Sequence, residues 1–596
     1  MGAIKASLYS SWSVKKALNS ESLDKTKKAK QNMLRRIRGG NIFVRKSWLT
    51  APLLLTACNN DNKKLLGLAG NAASEGIEKH FQENPSISNP YTISSTTPLS
   101  STGDGSNSLP IEVTGAVVAS PIISGYPLLD FTFSAAGTVD FTNVTDVKNI
   151  SISNSTAGVN LTSLTTDIEK LFVTETQSGD WTIAFKPNSF GALYFDWINN
   201  TGASVDLTSL TLNEAGQLIF KNSGNEPVTI PLLNLDPEDT QRIEIGNDND
   251  GNIIIADATD LTGTTALRTI SLTTWNDGNV TLGTPGTSGL PDLQKLSSIA
   301  IDASETGAIT IGDLGSSTPV DNLLSLAMAT KGAPINIGSI SAKKIDSIVV
   351  SGTEFSSINI GSITIEEAIV GLTLSGAGDI NVASFSGDGT VNLDASSMSK
   401  KGISLNFSAL KGSVDVTTTN QNDQVSLGVG SGKVISGAGD DTISIAANAT
   451  GNADIRGGDG VDVITLSSLK GTDVVQPGGT NVLTVDGSAN SHASIIADKI
   501  INFDPTADKI GFGSITSNTN NFVSETGATS FSDALSKANT AMSSGKTYYF
   551  SYNVATATDG FSLLFYDSDG NGSSDTCMSL VGITTNAITF EHLVIV

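Results

Sequence analysis

The segment Ile335-Asn336-Ile337-Gly338-Ser339-Ile340 returns almost letter for letter as Ile358-Asn359-Ile360-Gly361-Ser362-Ile363, 23 residues later. An apolar residue at every second place puts one face of a strand against a core. Repetition at a fixed period means that each unit covers its neighbour. Strands of the same kind begin at Ile309, Ile380 and Ile403. From Phe131 onward, pairs of alternating strands are separated by Gly, Asn or Asp turns. Examples are Ile243-Glu244-Ile245 with Ile253-Ile254-Ile255, and Ile270-Ser271-Leu272 with Val280-Thr281-Leu282. Spacings of about 20–28 residues predict an all-β parallel solenoid. A sandwich of stacked hairpins is the alternative, since it shows the same alternation. Leucine-rich repeats fit less well, because their Asn/Leu consensus is missing. Residues 284–296 and 315–333 read as insertions that break the stack, with a short helix expected over Asp321–Met328.

Toward the C-terminal side the period tightens and the turns acquire charge. Gly457-Gly458-Asp459-Gly460-Val461-Asp462-Val463-Ile464-Thr465 matches the nonapeptide G-G-x-G-x-D-x-U-x at every specified place. Gly457, Gly458 and Gly460 allow a tight turn that aims carbonyl oxygens at one point. Asp462 adds a hard, charged oxygen of the kind Ca²⁺ prefers. A second copy carries Gly437, Gly439 and Asp441, with Ser436 in place of the first glycine. Asp423 marks a degenerate copy, and Asn481 another in which Asp is replaced. Asp423, Asp441, Asp462 and Asn481 are separated by 18, 21 and 19 residues. Two nonapeptides per coil would align all four along one edge of a β-roll. The predicted ligand is calcium; an ordinary Gly-rich turn series is the alternative.

These nonapeptides resemble those of RTX proteins, and the Thr/Ser/Asn/Gly-rich body is most similar to RTX-type S-layer proteins of Gram-negative bacteria. The nonapeptide match covers about 420–485, and the looser likeness about 110–596. It implies export in the unfolded state by the type I secretion machinery, folding outside on Ca²⁺, and a cell-surface location. Self-association into a lattice and contact with the outer-membrane surface or lipopolysaccharide are implied as well.

The charge distribution is consistent with that expectation. Residues 1–50 hold twelve Lys and Arg against Glu21 and Asp24, so in a chain of net charge −24 the remainder carries −34. An acidic body disfavours nucleic acid and favours cations. Cys58 and Cys577 are too few and too far apart for a disulfide framework.

The organisation expected is a basic segment over 1–58, a helical segment over 59–84 and a flexible linker over 85–109. A solenoid body over 110–410, a calcium-binding roll over 411–490 and a β-rich domain over 491–596 follow. Leu55-Thr56-Ala57-Cys58 resembles a bacterial lipobox with Cys58 as the lipidated residue, for which Met33 would be the better start. The terminal run from Ile588 to Val596 resembles an uncleaved type I secretion signal, or is a last strand. Asp567-Ser568-Asp569-Gly570-Asn571-Gly572 follows half of an EF-hand loop, but Met578 stands where the bidentate Glu belongs; Asp575 could compensate, and an Asp-Gly hairpin turn is the alternative.

Catalytic patterns are sparse. The three histidines, His80, His492 and His592, form no H-E-x-x-H, and no G-x-S-x-G occurs. The expected function is therefore structural: a calcium-stabilised surface-layer subunit, not an enzyme. The alternatives are a calcium-dependent RTX adhesin and, further off, a β-helix enzyme that degrades polysaccharide with carboxylates alone.

Overall fold

A computed structural model describes residues 91–595 apart from short interior segments, the longest being 477–496. The compact unit to which they belong spans Phe81–Val596. The lipobox at Cys58, the start at Met33, the helix expected over 59–84, and Asn481, His80 and His492 lie outside the described residues.

Through most of the stack, strands that follow each other along the chain do not pair with each other. Each pairs in parallel with a strand one coil further on. On one side Leu128–Phe133 pairs with Asn149–Ser153, which pairs with Lys170–Thr174; Leu129, Ile150 and Leu171 share a row. On the other, Gly137–Asp140 pairs with Val159–Leu164 and then Gln177–Phe185, with Val139, Leu161 and Ile183 in register. The result is a right-through parallel β-solenoid. It settles the choice between solenoid and hairpin stack. The near-literal repeats are successive rungs of it: Ile335 opposes Ile358, and Ile358 opposes Ile380.

The alternation explains the burial. Ile335, Ile337, Ile358 and Ile360 are 0–3% exposed, and each such side chain contributes about 1.5–3 kcal/mol by leaving water. The residues between them point outward and form their own ladders. Asn359 Nδ2 donates to Asn336 Oδ1 at 3.0 Å, and Ser362 Oγ to Ser339 Oγ at 3.0 Å. In the middle of the stack the coil gains a third run. The 20-residue strand Ser357–Gly376 pairs with Ile335–Ile337 near its start and with Ile340–Gly352 along most of its length.

Two expectations fail in that middle region. Val320–Leu323 and Ser325–Thr330 are strands, not a helix, and Gly289–Asp292 is a strand rather than part of a looped insertion. Met328 sits opposite Ile301 and Val350 in an inward row. Neighbouring coils thus overrode the helical propensity of Leu, Ala and Met.

The coil is shortest on entering the nonapeptides, where Val425 opposes Ile443; Ile443 then opposes Ile464. Beyond them, Asp498–Ile501 continues the stack and pairs with Thr576–Val581. Among the described residues, antiparallel pairing is confined to Tyr548–Val554, Phe561–Tyr566 and Thr576–Val581. The helix Phe531–Ser543, capped by Ser530 Oγ, lays Phe531, Ala534, Ala538 and Met542 against Tyr549, Phe565 and Cys577 as a second small core.

Candidate metal centre

The aspartates of the nonapeptides form a continuous buried column. Asp423, Asp441, Asp462 and Asp498 are 0–3% exposed. Each carboxylate reaches back one coil. The Ile403 amide donates to Asp423 Oδ1 at 2.7 Å, and the Asp423 amide to Asp441 Oδ1 at 2.7 Å. The Asp441 amide donates to Asp462 Oδ1 at 3.0 Å, and the Asp462 amide to Asp498 Oδ1 at 3.0 Å. One carboxylate oxygen of each residue is thereby held by backbone.

The second oxygens are treated differently along the column. Asp423 Oδ2 accepts from the Thr419 amide at 2.8 Å and from its hydroxyl at 3.1 Å. Asp441 Oδ2 and Asp462 Oδ2 are buried without a hydrogen-bond partner. A buried carboxylate oxygen with no donor is costly unless a cation meets it.

The turns around these two oxygens are built by glycine. Gly437 and Gly439 have φ of +99° and +121°, and the equivalent Gly458 and Gly460 have +88° and +134°. Other residues rarely enter that region. It lets one turn dock on the next: the Asp459 amide donates to Gly437 O at 2.9 Å, and the Gly439 amide to Asp459 O at 2.7 Å. Ser436, in the place of the first glycine, uses its hydroxyl on Gly457 O at 2.6 Å. At the Asp423 coil the three glycine positions are Thr418, Thr419 and Gln421. There Thr419 supplies donors to the Asp423 carboxylate from both its amide and its hydroxyl.

Burial raises the carboxyls of Asp441 and Asp462. Asp441 is pushed up to about 7 by desolvation, against the pull of the Asp423 amide. Asp462 is pushed up to about 8 by desolvation, with Asp498 and Asp441 adding like-charge repulsion. A divalent cation among them would remove both penalties. Hard carboxylate and carbonyl donors are the donor set for calcium, so the residues present fit that ion.

Two features escaped the sequence. The rung after Asp462 is Asp498, because Ile464 opposes Ile500; equal spacing points to Asn481, which lies outside the described residues. A second column runs through Asp473 and Asp508, each 3% exposed. There the Ala453 amide donates to Asp473 Oδ1 at 2.9 Å, and the Asp473 amide to Asp508 Oδ1 at 3.1 Å. Burial raises both carboxyls, Asp508 to about 6. Their local motifs, G-T-D-V and T-A-D-K, lack the paired glycines that drew attention to the first column.

Asp567, Asp569 and Asp575 offer carboxylate oxygens within 4.8 Å of one another. Their hydrogen bonds are already spent on the turn. Asp567 accepts from the Gly570 and Gly572 amides at 2.8 and 2.9 Å, and Asp575 from the Ser568 amide at 2.7 Å. An Asp-Gly turn accounts for them.

No protein-family model matches the chain, and no curated protein matches it.

Proposed function

We propose that this chain is a structural, calcium-stabilised cell-surface protein, of the RTX kind exported by type I secretion, that assembles into an S-layer lattice. The single observation that supports the calcium step is the pair of unpartnered oxygens, Asp441 Oδ2 and Asp462 Oδ2, buried one coil apart within glycine turns. Asp441 and Asp462 would hold the ion, with carbonyls of the turns at Gly437, Gly439, Gly457, Gly458 and Gly460. Bound calcium supplies two positive charges to a column of buried carboxyls and so ties coil to coil. Without it the acidic chain repels itself, which suits a protein that must stay unfolded until it is outside.

A solenoid with repeated outward ladders, such as Asn336–Asn359 and Ser339–Ser362, is a rigid building unit. Head-to-tail contacts between identical units propagate into arrays, and calcium can also bridge their acidic faces. Electron microscopy of the purified protein with millimolar Ca²⁺ is the test. Ordered two-dimensional sheets that dissolve in chelator support the lattice. A persistent monomer that binds cells or glycans would instead make it an adhesin, and release of sugars from polysaccharide would make it an enzyme.

A further inference from the structure

On the outer side of the ladder through Gly191–Trp197, Ala215–Asn222 and Arg242–Asn247, acid and amine groups meet in partly dry surroundings. Asp196 and Lys221 are register partners on adjacent strands, about 4.8 Å apart at the backbone. Lys221 Nζ is ion-paired with Asp248, just beyond the next strand of the stack. The two side chains are only 15% and 28% exposed, whereas those of the Lys401–Asp379 pair are 63% and 53% exposed and open to water. Although Asp196 points away from the core, it is 4% exposed, and its Oδ1 has no hydrogen-bond partner. Lys170 Nζ lies 4.7 Å over the Tyr194 ring beside them.

Burial holds the Asp196 carboxyl above the usual range, with the Ser223 hydroxyl, Lys221 and Lys170 pulling against it. Burial thus favours the acid form of a carboxyl that lies beside an amine and a second carboxyl.

We propose that Lys221 and Asp248 condense into an intramolecular amide, with Asp196 as the acid that shuttles protons, so that two successive coils become covalently joined. Nζ attacks Asp248 Cγ and forms the N–C bond. Asp196 donates a proton to the departing oxygen and recovers one from the nitrogen. The ammonium gives up two hydrogens and the carboxylate one oxygen, which leave as a single water, and no oxidant or cofactor is consumed. A bond between coils closes a loop of the unfolded chain and resists peeling of the stack under load.

Peptide mapping of the folded, full chain reads this directly. Expected is a branched tryptic peptide in which residues 243–268 hang from Lys221 through Asp248, lighter than the two parts by one water and uncut after Lys221. Lys221→Arg keeps the ion pair and should give separate peptides at full mass. Asp196→Asn keeps the shape and should also give separate peptides, in a protein whose circular dichroism is unchanged. Separate, unmodified Lys221 and Asp248 peptides from the folded wild type overturn the proposal. An amide that persists in Asp196→Asn overturns the part given to Asp196.

Discussion

A Cβ placed on Gly457 would lie 2.1 Å from Asp462 Oδ2. The hollow beside that oxygen exists because the residue is glycine. Gly457→Ala fills it and forces the carboxylate to turn, at an overpacking cost of about 1–3 kcal/mol. Expected is a loss of most of the calcium-induced rise in melting temperature. Gly457→Ser should recover part of it, because Ser436 already occupies the equivalent place and sends its hydroxyl to the neighbouring turn. Equal calcium responses in Gly457→Ala and wild type would count against the site.

The pH dependence without metal has a definite sign. Asp441, Asp462 and Asp508 bind their protons up to about 7, 8 and 6 in the fold, but release them near 4 when unfolded. Between about pH 4 and 8 the folded state therefore holds more protons, and stability falls as pH rises. In chelator, urea unfolding should have a higher midpoint at pH 5 than at pH 8. Calcium should raise the midpoint at pH 8 far more than at pH 5. A chelated protein more stable at pH 8 would contradict the buried column.

Within the column, Asp423 and Asp462 should behave differently. Asp423 already spends its second oxygen on Thr419, so Asp423→Asn should cost about 1–2 kcal/mol and leave the calcium titration in place. Asp462→Asn removes the charge from an oxygen without a donor, and it should weaken calcium binding severalfold. Isothermal titration of the two variants separates them. Loss of calcium binding in Asp423→Asn alone would reverse this assignment.

What the chain discloses in advance follows from which interactions are local. The period-2 rows of Ile335, Ile358 and Ile380 carry the solenoid in plain view, because every inward side chain repeats. Asp441 and Asp462 were visible because the turn that positions them needs glycine, and glycine leaves a signature. Asp498 was not, since 36 residues separate it from Asp462 and only the register of Ile464 with Ile500 makes it the next rung. Asp473 and Asp508 lack the paired glycines; their Oδ1 partners are backbone amides one coil away, and Asp508 Oδ2 adds only the local Asp504 amide. Val320–Leu323 and Ser325–Thr330 misled in the opposite sense, as residues of helical type pressed into strand by coils on both sides.

The C-terminal run makes the last case. Leu593–Val594 pairs with Lys509–Gly511, Ile588 and Leu593 are 0% and 7% exposed, and His592 Nε2 meets Pro505 O at 2.6 Å. The segment proposed as a secretion signal is, in the folded protein, part of the final coil. A signal of that kind has to be read before folding, and removing it damages the fold as well as the address. Leu593→Ala separates the two effects, since it opens a cavity worth about 2–5 kcal/mol without shortening the chain. Expected is a lowered unfolding midpoint with the protein still reaching the surface. Deletion from Ala587 onward should leave the chain inside the cell, and undiminished surface protein after that deletion would show that export does not use this end.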